Sequence, residues 1–218
     1  MPDTSWIAGG KIEHTGPSRY DLALHWIKKN RETFIGSLVI LVAAVIFGVY
    51  FFTHYRGLRD TAWKTLFMAQ QIGYGGNIAQ AQQQLDTIEK SYGSTTAAPY
   101  ATLTKGDILY AQEKFKEAEA EYAKVLTNRD LGPFAAYNVG KSKEAAGDLA
   151  GAQVQYSDFI AKYPDHFMAP EAHASLARLQ ELAGTPELAR ATYEKISLLY
   201  PETTWAMLAK ARIAPAKK

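Results

Sequence analysis

Hydrophobic and polar positions follow three different patterns along this chain. Between Phe34 and Phe52 lie 19 residues without a charge, FIGSLVILVAAVIFGVYFF. As a helix rising about 1.5 Å per residue, that run covers about 28 Å, the thickness of a bilayer's hydrocarbon core. It is apolar on every side, whereas a core helix of a small domain keeps one polar stripe. Ahead of it, Tyr20, Leu24 and Ile27 fall at i, i+4 and i+7 with Ala23 beside them. That spacing predicts either a separate amphipathic helix on a membrane surface or the opening turns of the helix entering the span. After residue 56 the pattern becomes a succession of short amphipathic helices.

The apolar run reads as an uncleaved anchor. It is preceded by 33 residues, exceeds the usual signal-peptide length, and ends in bulky Tyr50, Phe51 and Phe52 where a cleavage site needs small residues. Lys11, Arg19, Lys28, Lys29 and Arg31 precede it, against Arg56, Arg59 and Lys64 in the first stretch after it. Positive charge resists translocation, so the N-terminus is expected in the cytoplasm and the C-terminal part across the membrane. The expected organisation is a tail with a short amphipathic helix over 1–33, a transmembrane helix over 34–53 and a repeat domain over 54–218.

Self-similarity organises that last part. Segments beginning at Gly76, Glu113, Gly147 and Gly184 align on the alanines Ala81, Ala118, Ala152 and Ala189, spaced 37, 34 and 37 residues apart. Seven residues before each segment stands a small residue: Ala69, Gly106, Gly140 and Ala177. Seven further back come Ala62, Pro99, Pro133 and Pro170, the prolines suiting a first helical position. Four residues after each alanine comes a large side chain: Leu85, Tyr122, Tyr156 and Tyr193. Each unit therefore predicts two antiparallel helices whose small residues permit a close crossing. Gly147 and Gly184 are expected to supply left-handed caps at the turn.

This register resembles the tetratricopeptide repeat family, in which 34-residue helical hairpins stack into a solenoid with one continuous core. The fold expected is all-α: a single N-terminal transmembrane helix, then an α-solenoid of about four hairpins (62–98, 99–132, 133–169, 170–203) and a capping helix over 204–213. The family's tryptophan at the fourth position is replaced by Thr65, Thr102, Ala136 and His173. The two longer spacings come from three extra residues after Tyr-Gly or Tyr-Pro.

Composition narrows the chemistry. With 24 Lys and Arg against 22 Asp and Glu, and no cysteine, the chain lacks a nucleic-acid binder's basic excess and every thiol-based function. No histidine pair has metal-ligand spacing, and Gly73–Gly76 lacks the Lys and Ser/Thr of a phosphate loop. It reads as an inter-helix turn. The acidic run Glu113–Glu121 reads as a solvated helix face with intrahelical ion pairs. His173 falls at a helix-packing position and reads as a satisfied core or groove histidine. No catalytic residue, cofactor, metal ion or small-molecule substrate is expected.

The resemblance implies a concave surface made by the first helices. Its inward positions (second, fifth, sixth, ninth and twelfth) hold the candidate protein-binding residues Tyr100, Leu103, Tyr110, Phe134, Tyr137, Asn138, Lys141 and Arg178, with Asp107, Glu144 and Glu181 among them. Asn138 and Lys141 match two positions of the carboxylate clamp found in some family members, while Tyr100, Leu103 and Tyr137 replace others. Aromatics among scattered charges suit the grip of a polypeptide.

The whole arrangement, from Leu22 to Ile213, is similar to the bacterial inner-membrane ancillary subunits of the SecYEG translocon: a helix ending Lys28-Lys29-Asn30, one anchor and a small tetratricopeptide domain. That resemblance implies a non-enzymatic protein of the cytoplasmic membrane, its C-terminal domain in the periplasm, linking the translocon to periplasmic chaperones or emerging clients. The alternative is a scaffold for another envelope machine, of cell division or secretion. A lipoprotein reading fails on the missing cysteine.

Overall fold

The structure, a computed structural model, describes residues 18–214. Among them are ten α-helices and no strand. The chain divides into two compact units, Met1–Tyr55 and Arg56–Lys218.

In the first unit, α1 (Arg19–Lys29) is a helix of its own. Ser18 caps it reciprocally with Asp21: the Tyr20 amide donates to Ser18 Oγ at 3.2 Å, and the Ser18 amide donates to Asp21 Oδ2 at 3.1 Å. Asn30 leaves helical geometry at φ −117°, ψ 40° and separates α1 from α2 (Arg31–Tyr74). The apolar run lies within α2, which is long and apolar enough to cross a membrane, and none of its residues from Phe34 to Phe52 is buried. Ser37 within the run and Thr53 just after it turn their hydroxyls back on their own helix, Ser37 Oγ to the Thr33 carbonyl at 2.8 Å and Thr53 Oγ1 to that of Val49 at 3.0 Å. That internal pairing is what a hydroxyl in an apolar medium needs. The helix does not break where the apolar run ends; only its burial pattern changes.

The second unit is the solenoid. Leu66 and Ala69 in the last turns of α2 share a core cluster with Leu85 and Ile88 of α3 (Ile78–Ser91); α4 (Ala98–Ala111) pairs with α5 (Phe115–Ala123), α6 (Gly132–Ala145) with α7 (Leu149–Lys162), and α8 (Ala169–Leu182) with α9 (Pro186–Leu199). Helix α10 (Thr204–Ile213) closes the stack on α9 and α8. The alanines of the register, Ala81, Ala118, Ala152 and Ala189, are all buried. Gly106 and Gly140 lie under the rings of Tyr122 and Tyr156; a Cβ on Gly106 would stand 2.6 Å from the Tyr122 ring, and one on Gly140 3.0 Å from that of Tyr156.

The turns Gly76, Gly147 and Gly184 have φ of +87°, +84° and +72°. The equivalent turn in the second repeat belongs to Glu113, a non-glycine at φ +61°. Thr65, Thr102, Ala136 and His173 are all buried at the position where the family places tryptophan. His173 packs its ring 5.8 Å from that of Tyr200, and its Nδ1 finds no hydrogen-bond partner. Burial, aided by Lys195, holds its imidazole down at about 4, so it is neutral near pH 7.

The acidic helix α5 is less solvated than its composition implies. Glu121 does pair with Lys124 at 2.5 Å within its own turn, but it also faces Lys105 of α4 at 3.5 Å. Glu119 meets Lys143 of α6 at 2.8 Å. Lys105 is further held by Asp86 (2.7 Å) and Glu89 (3.3 Å) of α3. Partial burial alone would lower its pKa, and the surrounding carboxylates more than reverse that, raising it.

Candidate functional site

The first helices of the repeats present the face on which the candidate residues lie. Tyr100 leans on Trp63 of α2, ring centroids 5.1 Å apart, and the Trp63 indole donates to Thr96 Oγ1 at 3.2 Å. Leu103 is half-buried beneath the surface, against the clusters of Leu109 with Val139 and of Val125 with Leu131. Tyr110 meets Phe115 edge-on at 5.2 Å. Phe134 lies against His166 (5.3 Å) and Phe167 (5.8 Å). Asn138 is half-buried on α6, while Lys141 and Arg178 are exposed.

Tyr137 departs from expectation. It is only 4% exposed, wedged 5.8 Å from both the Tyr156 and Phe159 rings. Burial and the Glu171 carboxylate push its phenol above the ordinary tyrosine value. It is a core residue, unable to meet a partner without opening the repeat.

The charged residues of this face are engaged with one another in a regular order. The ninth position of each first helix from the third repeat onward is basic, and α10 continues the series: Lys141, Arg178, Arg212. The twelfth position of the preceding repeat answers it: Tyr110, Glu144, Glu181. Lys141 Nζ sits over the Tyr110 ring at 4.8 Å, Arg178 pairs with Glu144, and Arg212 lies 3.4 Å from Glu181. The second-helix tyrosines reach back to the same face. Tyr122 donates to Asp107 at 2.7 Å, Tyr156 to Glu144 at 3.0 Å, and Tyr193 faces Glu181. Burial and the adjacent carboxylates raise the Tyr122 and Tyr156 phenols above their usual value, so both remain protonated donors.

These rungs tie neighbouring repeats together: Arg178 and Arg212 are committed to acids, while Lys141, at a clamp position, stands over a ring. What the face leaves open is aromatic and amide surface at its N-terminal end. Extending the same register back to Ala62 places Trp63, Phe67 and Gln70 at the second, sixth and ninth positions of the first repeat. Phe67 is 63% exposed, and Gln70 Nε2 donates to Thr104 Oγ1 at 3.4 Å. Beside them an open cavity of about 360 Å³ is lined by Gln70, Tyr74, Ile78, Thr104 and Ile108. The inward positions assigned from the sequence began at Pro99 and so omitted the first repeat. The register already set by Ala62, Ala69 and Ala81 carries those positions back into α2.

Among the described residues no cluster of three or more His, Asp or Glu side chains could hold a metal ion. No curated protein matches the sequence. Among solved structures, a tetratricopeptide repeat protein from Parabacteroides merdae superposes with a TM-score of 0.61 at 17% identity, over 71% of this chain and 59% of that one. The chain thus spans less than two thirds of that protein. The 41-end fragment of MamA from Desulfovibrio magneticus RS-1 superposes with a TM-score of 0.53 at 16% identity, over 66% of this chain and 77% of that one. At such identities the likeness is one of fold, a fold that is typically a non-catalytic scaffold for protein–protein contact. The pattern described as a tetratricopeptide repeat matches residues 134–166, and that described as a tetratricopeptide repeat-like domain matches residues 24–136, more than half of the sequence. With α4–α9 stacked as three hairpins behind the α2–α3 pair, the chain belongs to the tetratricopeptide repeat-like domain family.

Proposed function

We propose that this protein is a single-pass protein of the bacterial cytoplasmic membrane whose solenoid is a non-catalytic docking platform in the periplasm, joining the SecYEG translocon to chaperones or emerging envelope proteins. The observation that carries the docking role is the face made by the first helices. Its bases answer acids or an aromatic ring of the preceding repeat, while Trp63, Phe67, Tyr74 and Tyr100 stay accessible. Such a surface selects a partner by shape and aromatic contact, with little sensitivity to salt. The anchor reading is supported by the exposed, uncharged run from Phe34 to Phe52, and the excess of cations before it favours a cytoplasmic N-terminus. The family pattern beginning at residue 24 takes in that run together with the first repeats.

Site-specific photo-crosslinkers at Phe67 and Tyr110 in the membrane-embedded full chain test this. Capture of translocon subunits or periplasmic chaperones is expected, and it should persist at high salt. A capture set made of division or secretion-apparatus subunits would replace the translocon assignment with an envelope-scaffold one. Crosslinks confined to the convex side would remove the groove from the reading.

A further inference from the structure

The loops leading from each second helix into the next first helix share one edge of the solenoid, and that edge is unusually aromatic. Trp63 donates to Thr96 in the α3–α4 loop and stacks on Tyr100. Gly132, at the start of α6, abuts the Leu126 carbonyl, with the Tyr163 hydroxyl close by. Phe134 packs on His166 and Phe167 in the α7–α8 loop, and the Tyr200 hydroxyl donates to the Pro164 carbonyl at 3.0 Å. The extra residues of the 37-residue repeats thus fold over the aromatic at the second position of their own repeat, Trp63 in the first and Phe134 in the third. The covering is incomplete: Phe167 is 71% exposed, and Trp63 and Tyr100 are each exposed as well.

Charges on this edge are mixed. Lys90, Arg129 and Lys162 stand with Asp130, Asp165 and Glu202, and Lys162 lies over the Tyr163 ring at 5.2 Å. An edge of Trp, Tyr and Phe rings with interspersed cations and no strong net charge has the composition of a surface resting in the headgroup region of a bilayer. Chain length adds a second constraint. Trp63 follows Phe52 by eleven residues, so even fully extended backbone keeps it within about 40 Å of the end of the apolar run.

We propose that this aromatic loop edge lies on the bilayer in which the chain's own apolar helix is anchored. The inference rests on the anchor reading. Recognition is by aromatic insertion at the headgroup level, so neutral lipid suffices.

The absence of cysteine makes the test direct. The full chain carrying D165C, which leaves every ring in place, or F167C is labelled with an environment-sensitive fluorophore and reconstituted into phosphatidylcholine vesicles. A183C, on the opposite edge, is the control. Flotation is measured first: a chain that does not float with the vesicles overturns the anchor reading and this inference with it. For a chain that floats, iodide quenching at 165 and 167 should fall about threefold or more relative to 183, while headgroup-labelled lipid quenches the first two alone. Equal iodide access at all three positions would overturn the edge contact and leave the anchor standing.

Discussion

The second and third repeats share one architecture and solve its tight spots differently. Both lay a tyrosine ring over a glycine, Tyr122 on Gly106 and Tyr156 on Gly140, but the first approach is tighter by 0.4 Å as judged by the added Cβ, 2.6 against 3.0 Å. Both need a left-handed residue at the turn; the third repeat has Gly147, and the second has Glu113. Both anchor the tyrosine hydroxyl on an acid, but Glu144 also holds Arg178 in an ion pair, whereas Asp107 feels Lys141 without an ion pair among the described residues. A repeat is therefore not one stabilising recipe used four times. The same contacts are required, and each unit meets them with its own margin.

Substitution at the glycines tests the difference most strongly. Gly106→Val should destabilise the solenoid by about 4 kcal/mol, beyond the usual overpacking cost of about 1–3 kcal/mol, because its Cβ alone would already stand 2.6 Å from a buried ring. Gly140→Val should cost roughly half as much in the same urea unfolding measurement. Equal losses would mean that the tighter crossing carries no extra strain.

Acidity carries the comparison one repeat further, where the buried fourth position holds His173 instead of Thr102 or Ala136. Its folded pKa near 4 lies below the ordinary 6.5. The unfolded chain binds the proton first, so stability falls as pH drops from about 6.5 to about 4 and is flat for this group beyond either end. The loss amounts to about 3 kcal/mol. His173→Gln should remove that dependence, with the pH profile of unfolding as the readout.

The hydroxyl anchors come next. Tyr122→Phe should cost about 2 kcal/mol and Tyr156→Phe about 1 kcal/mol, since Glu144 retains Arg178 when the phenol is gone. The smallest effect sits at the turn, where its sign is the test. Glu113→Gly should raise stability by about 1 kcal/mol, and Gly147→Glu should lower it by a similar amount.

Much of this solenoid was legible because its constraints are local. Ala118 and Ala152 must be small wherever two helices cross, and Gly147 and Gly184 must adopt positive φ where a hairpin turns tightly. The glutamate at 113 could not be recognised as left-handed, because its side chain gives no sign of a conformation that its neighbours impose. Tyr137 was misplaced for a related reason. An inward position in a repeat describes a direction, and the Phe159 and Tyr156 rings fill that direction in this repeat. The rungs join residues about 31 to 34 positions apart, and only a comparison of the ninth and twelfth positions across consecutive repeats would have found them. The run of α2 without a break past Phe52 was likewise invisible, since the change from an all-round apolar surface to one buried stripe at Ala62, Thr65, Leu66 and Ala69 needs no change in backbone.

The rungs also give the array a grammar. Each repeat from the third onward offers a base backward and an acid forward, so any such unit can follow another and be followed in turn. Helix α10 offers Arg212 to Glu181 but contains no Asp or Glu of its own. It accepts the last sentence of the series and begins no new one. A fifth hairpin fused after Ile213 would meet no acid at the rung, and one inserted before Thr204 would find both of its neighbours prepared for it. Among the described residues the series of acids offered forward therefore stops at Glu181, and α10 answers it with Arg212 alone.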